Sequence, residues 1–133
     1  MTIVVDASVA VKWILPEPGS SAAAALREQD SDLIAPSLVV AEIGNAIWKA
    51  VRHRALDQSD GLHGFEAALI WFQSLIPIEE LHVRALALAI ELRHPIYDCF
   101  YFALAERENA PLATADEAML AAARKAKIKV RRI

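Results

Sequence analysis

With one cysteine among 133 residues, Cys99, the chain has no internal disulfide, so it lacks the usual staple of small secreted folds. Glycine is scarce too: Gly19, Gly44, Gly61 and Gly64 are all there is. None builds a phosphate-cradling G-x-x-x-x-G-K-[ST] loop or a G-x-S-x-G elbow, which removes two large enzyme classes. The four histidines, His53, His63, His82 and His94, are scattered and form no H-E-x-x-H, so zinc has no ligand cluster. Long apolar runs are missing too. The most tempting, Ala67 to Phe72, stops at Gln73-Ser74, far short of the ~18 residues of a membrane helix. The opening Thr2-Ile3-Val4-Val5 has no basic flank, and Asp6 and Lys12 break the apolar stretch after it, unlike a signal peptide. A soluble, cytoplasmic protein with no membrane contact is expected.

What is present suits one globular domain over residues 1–133. Hydrophobic residues make up 56% and charged residues 23%, a balance that supports a core without staples. Net charge is −3, but six of the 14 basic residues (Arg124, Lys125, Lys127, Lys129, Arg131 and Arg132) crowd the C-terminal segment. The remainder therefore sets eight bases against all 17 acids. Binding nucleic acid by charge alone would require a basic body; an acidic body fits a cation site better. In the tail, Lys127, Lys129 and Arg131 alternate with Ile128 and Val130 as on a solvated edge strand.

Short apolar segments alternate with helical ones. Strands are expected at 2–5, 33–35, 75–78, 112–114 and 128–130. Helices are expected at 7–15, 20–29, 37–54, 57–72, 79–93, 97–108 and 116–127, with Pro16 closing the first and Pro36 in the first turn of the third. The pattern describes an α/β sandwich, a short and mainly parallel central sheet flanked by helices. Such sheets receive ligands beyond the carboxyl ends of their strands, and Asp6 and Asp116 lie just past two of those ends.

Each notable acid also has a plain structural explanation. Asp6, Asp98 and Asp116 stand near helix starts, where a carboxylate can cap the backbone or favour the dipole. Thr114 and Glu117 have capping-box spacing. Glu42 lies beside a core stripe of Val40, Ile43, Ile47, Ala50 and Val51, in a second stripe with Asn45, Lys49 and Arg52. Leu38, Val39 and Ala46 flank it, so its carboxylate is partly desolvated. If these acids meet, two carboxylates ~5 Å apart repel by roughly 3 kcal/mol at an effective dielectric of ~20. A hard divalent cation such as Mg²⁺ removes that conflict and serves phosphodiester hydrolysis.

These residues resemble a known family. Ile3-Val4-Val5-Asp6-Ala7-Ser8-Val9-Ala10-Val11-Lys12-Trp13 is similar to the first motif of the PIN-domain nucleases, in particular the VapC-type toxins of toxin–antitoxin pairs. Pro36 through Glu42 with Asn45 resembles the second motif, Tyr97-Asp98-Cys99-Phe100-Tyr101-Phe102-Ala103-Leu104-Ala105 the third, and Leu112-Ala113-Thr114-Ala115-Asp116 the fourth. The resemblance implies a PIN-like fold, a Mg²⁺ or Mn²⁺ site, endonucleolytic cleavage of RNA, and a VapB-like antitoxin partner. It implies that Asp6, Glu42, Asp98 and Asp116 are the catalytic and metal-holding acids, supported by Ser8, Asn45 and Thr114. Residues 55–93 match no motif.

Two other readings use the same residues. A Mg²⁺-dependent phosphatase or phosphotransferase would use Asp6 as nucleophile, but no lysine follows Asp98 or Asp116 at an obvious place. A non-catalytic RNA- or protein-binding module would have no use for four carboxylates that repel phosphates. Finally, a mean hydropathy of +0.30 suggests more apolar surface than a monomer hides, hence a homodimer. Trp48, Trp71 and Phe72 are its candidate anchors, and a place in the core is the equal alternative for each.

Overall fold

The computed structural model describes residues 1–133. Five strands, β1 (Thr2–Val5), β2 (Asp32–Pro36), β3 (Ser74–Ile76), β4 (Leu112–Thr114) and β5 (Val130–Arg132), form one sheet in the order β3-β2-β1-β4-β5. Every pairing is parallel, so the sheet is wholly, not just mainly, parallel. Ile3, Val4 and Val5 are fully buried, as expected of a central strand covered on both faces. Seven helices flank it: α1 (Ala7–Ala10), α2 (Ser20–Glu28), α3 (Leu38–Arg52), α4 (Gln58–Ile70), α5 (His82–Leu92), α6 (Ile96–Glu108) and α7 (Glu117–Lys125). Single 3₁₀ turns follow α1 and precede α5.

Sequence order places the site. From β1 the chain moves outward to β2 and β3, then returns to add β4 on the other side of β1. The carboxyl ends of β1 and β4 therefore flank the point where strand order reverses, where open α/β sheets form a ligand crevice. Helix α6 packs against β1, β2 and β4. Its residues Cys99 to Ala105 are all buried, which is why the segment has no polar face.

Several expectations need correction. Pro36 ends β2 and pairs in register with Ile76; its missing N–H is harmless there because Ser37 N–H continues the ladder to Ile76. The last strand begins at Val130, not Ile128. Lys127 adopts φ 60°, the Ile128 N–H closes back on the Ala123 carbonyl, and this helix-ending turn drives Ile128 into the core. In the first turn of α3 it is Val39 that is fully buried, while Val40 is only partly covered. Phe72 is core, 5.6 Å from the Trp13 ring, whereas Trp48 and Trp71 stay exposed beneath Arg52 and Arg27. In the basic tail, β5 is an edge strand as expected. Arg132 pairs with Glu117 and Arg131 reaches Gln29. No helix is long and apolar enough to cross a membrane.

Candidate active site

Asp6 follows the last residue of β1 and caps α1, its Oδ2 accepting the Ser8 N–H at 3.3 Å. The same oxygen accepts the Ser8 hydroxyl at 2.5 Å and the Thr114 hydroxyl, at the end of β4, at 3.0 Å. Ser8 Oγ in turn accepts the Ala115 N–H. Two hydroxyls thus clamp the ends of β1 and β4 around one buried carboxylate. Burial raises the Asp6 pKa; the Ser8 and Thr114 hydrogen bonds oppose that rise, and the nearby Asp98 charge adds to it.

Glu42 lies one turn into α3, where Ser37 begins the helix without a side-chain cap bond. The Tyr101 hydroxyl donates to its Oε1 at 2.7 Å. Burial pushes the Glu42 carboxyl up to about 7, with Tyr101 lowering it and the charges of Asp6 and Asp98 raising it. Asp98 is not a helix cap. Helix α6 starts at Ile96, after Pro95, with no side-chain cap. The Asp98 carboxylate instead meets His94 Nε2 at 2.6 Å through Oδ2. Asp116 is the cap of α7, accepting the Met119 N–H at 2.9 Å through Oδ1. The expected Thr114–Glu117 capping box therefore does not form; Thr114 Oγ1 takes the Asp116 N–H and turns to Asp6.

All four acids line one open cavity of about 450 Å³, together with Ser8 and Asn45. In each acid one oxygen is held by the protein, and the other accepts no protein hydrogen bond: Asp6 Oδ1, Glu42 Oε2, Asp98 Oδ1 and Asp116 Oδ2. None of these four oxygens is sealed from solvent. The donor set is all hard oxygen, which suits Mg²⁺ or Mn²⁺ and not zinc. No three of these groups already converge on one ion position. The wall of carboxylates suits a cation that keeps several waters and is held by one or two carboxylates.

The cavity also holds three charged residues outside the candidate set: Lys12, which lies within the first motif, Glu17 and Lys49. Lys12 follows Ser8 by four residues, and Lys49 follows Asn45 by four, so helical spacing could have found both. Lys12 Nζ donates to the Pro18 carbonyl at 2.7 Å and lies 3.9 Å from Glu17. Glu17 sits in the turn before α2, and nothing in its sequence context points to the site. His94 and Tyr101 escape sequence reasoning for another reason: each is identifiable only by the acid it touches.

The PIN domain family model matches residues 3–125. Over 118 residues the chain is 31% identical to Ribonuclease VapC3 of Pyrobaculum aerophilum, covering 87% of this chain and 90% of that relative. Among solved structures it resembles PAE2754 from Pyrobaculum aerophilum, with a TM-score of 0.67, 25% identity, and coverage of 98% of this chain and 83% of that one. It also superposes on VapBC2 from Rickettsia felis bound to a DNA fragment from their promoter, with a TM-score of 0.73 and 18% identity, covering 100% and 99% of the two chains.

Proposed function

The chain belongs to the PIN-domain family as a VapC-type nuclease, and we propose that it is a Mg²⁺- or Mn²⁺-dependent endoribonuclease held in check by a VapB-like antitoxin. The observation that carries the reading is the wall of four carboxylates at the β1/β4 switch point, each with one oxygen turned free. A relative named as a ribonuclease supports RNA as substrate. The single cysteine, buried and unpaired, is consistent with action in the cytoplasm.

Asp6, Glu42, Asp98 and Asp116 would surround the hydrated cation, one or two of them binding it directly through a free oxygen and the others through its waters. When bound, it supplies the positive charge and Lewis acidity that phosphodiester hydrolysis needs. The chain's own groups do the rest. Ser8 and Thr114 fix the Asp6 carboxylate at the cavity floor. In the metal-free chain Glu42, with its pKa pushed up to about 7, holds a proton up to neutral pH and gives it up when the cation binds. Lys49, exposed at the rim, offers an ammonium to a neighbouring backbone phosphate. In the direct test, the purified chain is incubated with mixed RNA and either Mg²⁺ or excess EDTA. Internal cleavage is expected with metal and none with chelator; full cleavage in EDTA would sink the metal reading.

Two apolar surfaces support the partners. Val83, Leu86 and Ile90 on α5 are 73%, 52% and 71% exposed, one stripe at helical spacing with no cover in a single chain. We assign this stripe to a homodimer. The groove between α3 and α4, rimmed by Trp48 and Leu62, is left for the antitoxin. By light scattering at micromolar concentration the chain should have about twice the monomer mass of 14.6 kDa. Leu86→Glu with Ile90→Glu should return it to the monomer. A monomeric parent protein would remove the dimer.

A further inference from the structure

Helix α6 carries Phe100, Tyr101 and Phe102 in succession, and all three are buried. Phe100 and Phe102 fill the core without a polar atom. Tyr101 brings a hydroxyl into the same core at 0% exposure, and a phenol is stable there only if its oxygen is partnered. Its hydroxyl donates to Glu42 Oε1 at 2.7 Å. The backbone N–H of Ala7, at the first position of α1, lies near the same oxygen. The hydroxyl therefore ties α6 to Glu42 on α3, 59 positions away in the chain.

The direction of this bond is fixed. An ionised carboxylate can only accept, so the phenol gives its one proton to Glu42. Glu42 must then present Oε1 to Tyr101, which leaves Oε2 toward the cavity that Asp6 also lines. A glutamate has three rotatable side-chain bonds, and without this contact its head would sample several positions. A metal site gains affinity when its ligands are held in place by groups behind them.

We infer that Tyr101 is a positioning residue for the metal site: its hydroxyl holds Glu42 at a set distance from Asp6, with one carboxylate oxygen turned to the cation. This rests on the metal-site reading above, and the test separates the two. Tyr101→Phe removes one oxygen and keeps the ring, so the core stays filled. Mn²⁺ binding is measured by calorimetry on the full chain without RNA, and melting is followed in EDTA. The variant is expected to melt like the parent and to bind Mn²⁺ about tenfold more weakly, the low end of what such supporting contacts contribute. In RNA cleavage the metal concentration for half-maximal rate should rise by a similar factor, with the rate largely recovered at saturating metal.

Glu42→Gln serves as the reference. Adding Tyr101→Phe to it should weaken Mn²⁺ binding no further, because the hydroxyl acts through Glu42. If Glu42→Gln weakens binding and Tyr101→Phe does not, the positioning role is overturned while the metal site stands. If both bind Mn²⁺ like the parent, Glu42 is not a ligand and the positioning role through it is overturned, while absence of Mn²⁺ binding in the parent itself would sink the metal reading. A melting temperature that collapses in Tyr101→Phe would make the hydroxyl a structural bond only, which also overturns the inference.

Discussion

Asp98→Asn is expected to fold as well as the parent chain and to cleave RNA at least about a hundredfold more slowly, the order of loss seen when one electrostatic partner of a reacting centre is removed. The substitution keeps the side chain's size and an oxygen that can still meet His94 Nε2, now 2.6 Å from Oδ2. What it removes is a charge. That charge raises the pKa of both Asp6 and Glu42, so the acids repel one another without metal. Thermal stability in EDTA should therefore stay level or rise. Growth arrest on expression should disappear with the activity. A purely structural Asp98 predicts the opposite pattern, because Asn would serve almost as well and activity would survive. The control is Asp57→Asn. Asp57 caps α4, accepting the Ser59 N–H at 3.1 Å, and lies outside the cavity. Asn is as good a cap, so that variant should cleave at the parent rate. An active Asp98→Asn protein would overturn the assignment of the acids.

Between pH 5 and pH 8 the metal-free protein should lose stability, and Mg²⁺ should reverse the loss. Glu42 binds its proton with a pKa of about 7 in the folded chain against 4.5 for an unperturbed glutamate, mainly through burial. A group whose folded pKa is raised contributes stability that is fully present below its unfolded value. That stability is lost as pH climbs through the folded value. Asp6 is shifted in the same direction. Allowing for solvent screening at the partly exposed Glu42, the loss is about 1–2 kcal/mol, or roughly 3–8 °C in melting temperature for a domain of this size. A cation requires the ionised carboxylates, so its binding releases protons and strengthens as pH rises. The melting shift produced by Mg²⁺ should be small at pH 5.5 and large at pH 8. In Glu42→Gln the pH slope in EDTA should flatten, which ties the slope to this group. An equal Mg²⁺ shift at both pH values would count against the acidic centre.

Most of this fold could be read along the chain, because the information is local. β1 is a run of four residues, three of them apolar and β-branched, leading straight to an acid. Pro16 and Pro95 mark where helices stop and start, and Asp57 announces the start of α4. The four acids could be singled out for a similar reason: Asp6 and Asp116 follow strands, and Glu42 stands among apolar neighbours where a plain surface acid would not. The errors fall where a non-local bond decided between local options. Pro36 reads as a helix opener until Ile76 is paired beside it. Phe72 reads as a surface anchor until Trp13 covers it.

The roles within the site divide in the same way. Asp98 had the look of a helix cap, and only the start of α6 two residues earlier removed that role and left its carboxylate for His94 and the cavity. Asp6 and Asp116 each cap a helix and line the cavity at once, which no sequence pattern can express, because a carboxylate has two oxygens and the pattern sees one residue. Amino-acid order alone, through hydrophobic period and the placement of acids after strands, determined that this is an α/β chain with an acidic centre. The tertiary structure decided how that centre is held. Tyr101 and Glu42 are 59 residues apart, Thr114 and Asp6 are 108, and contacts over such distances exist only once the sheet order β3-β2-β1-β4-β5 has brought the ends of β1 and β4 together.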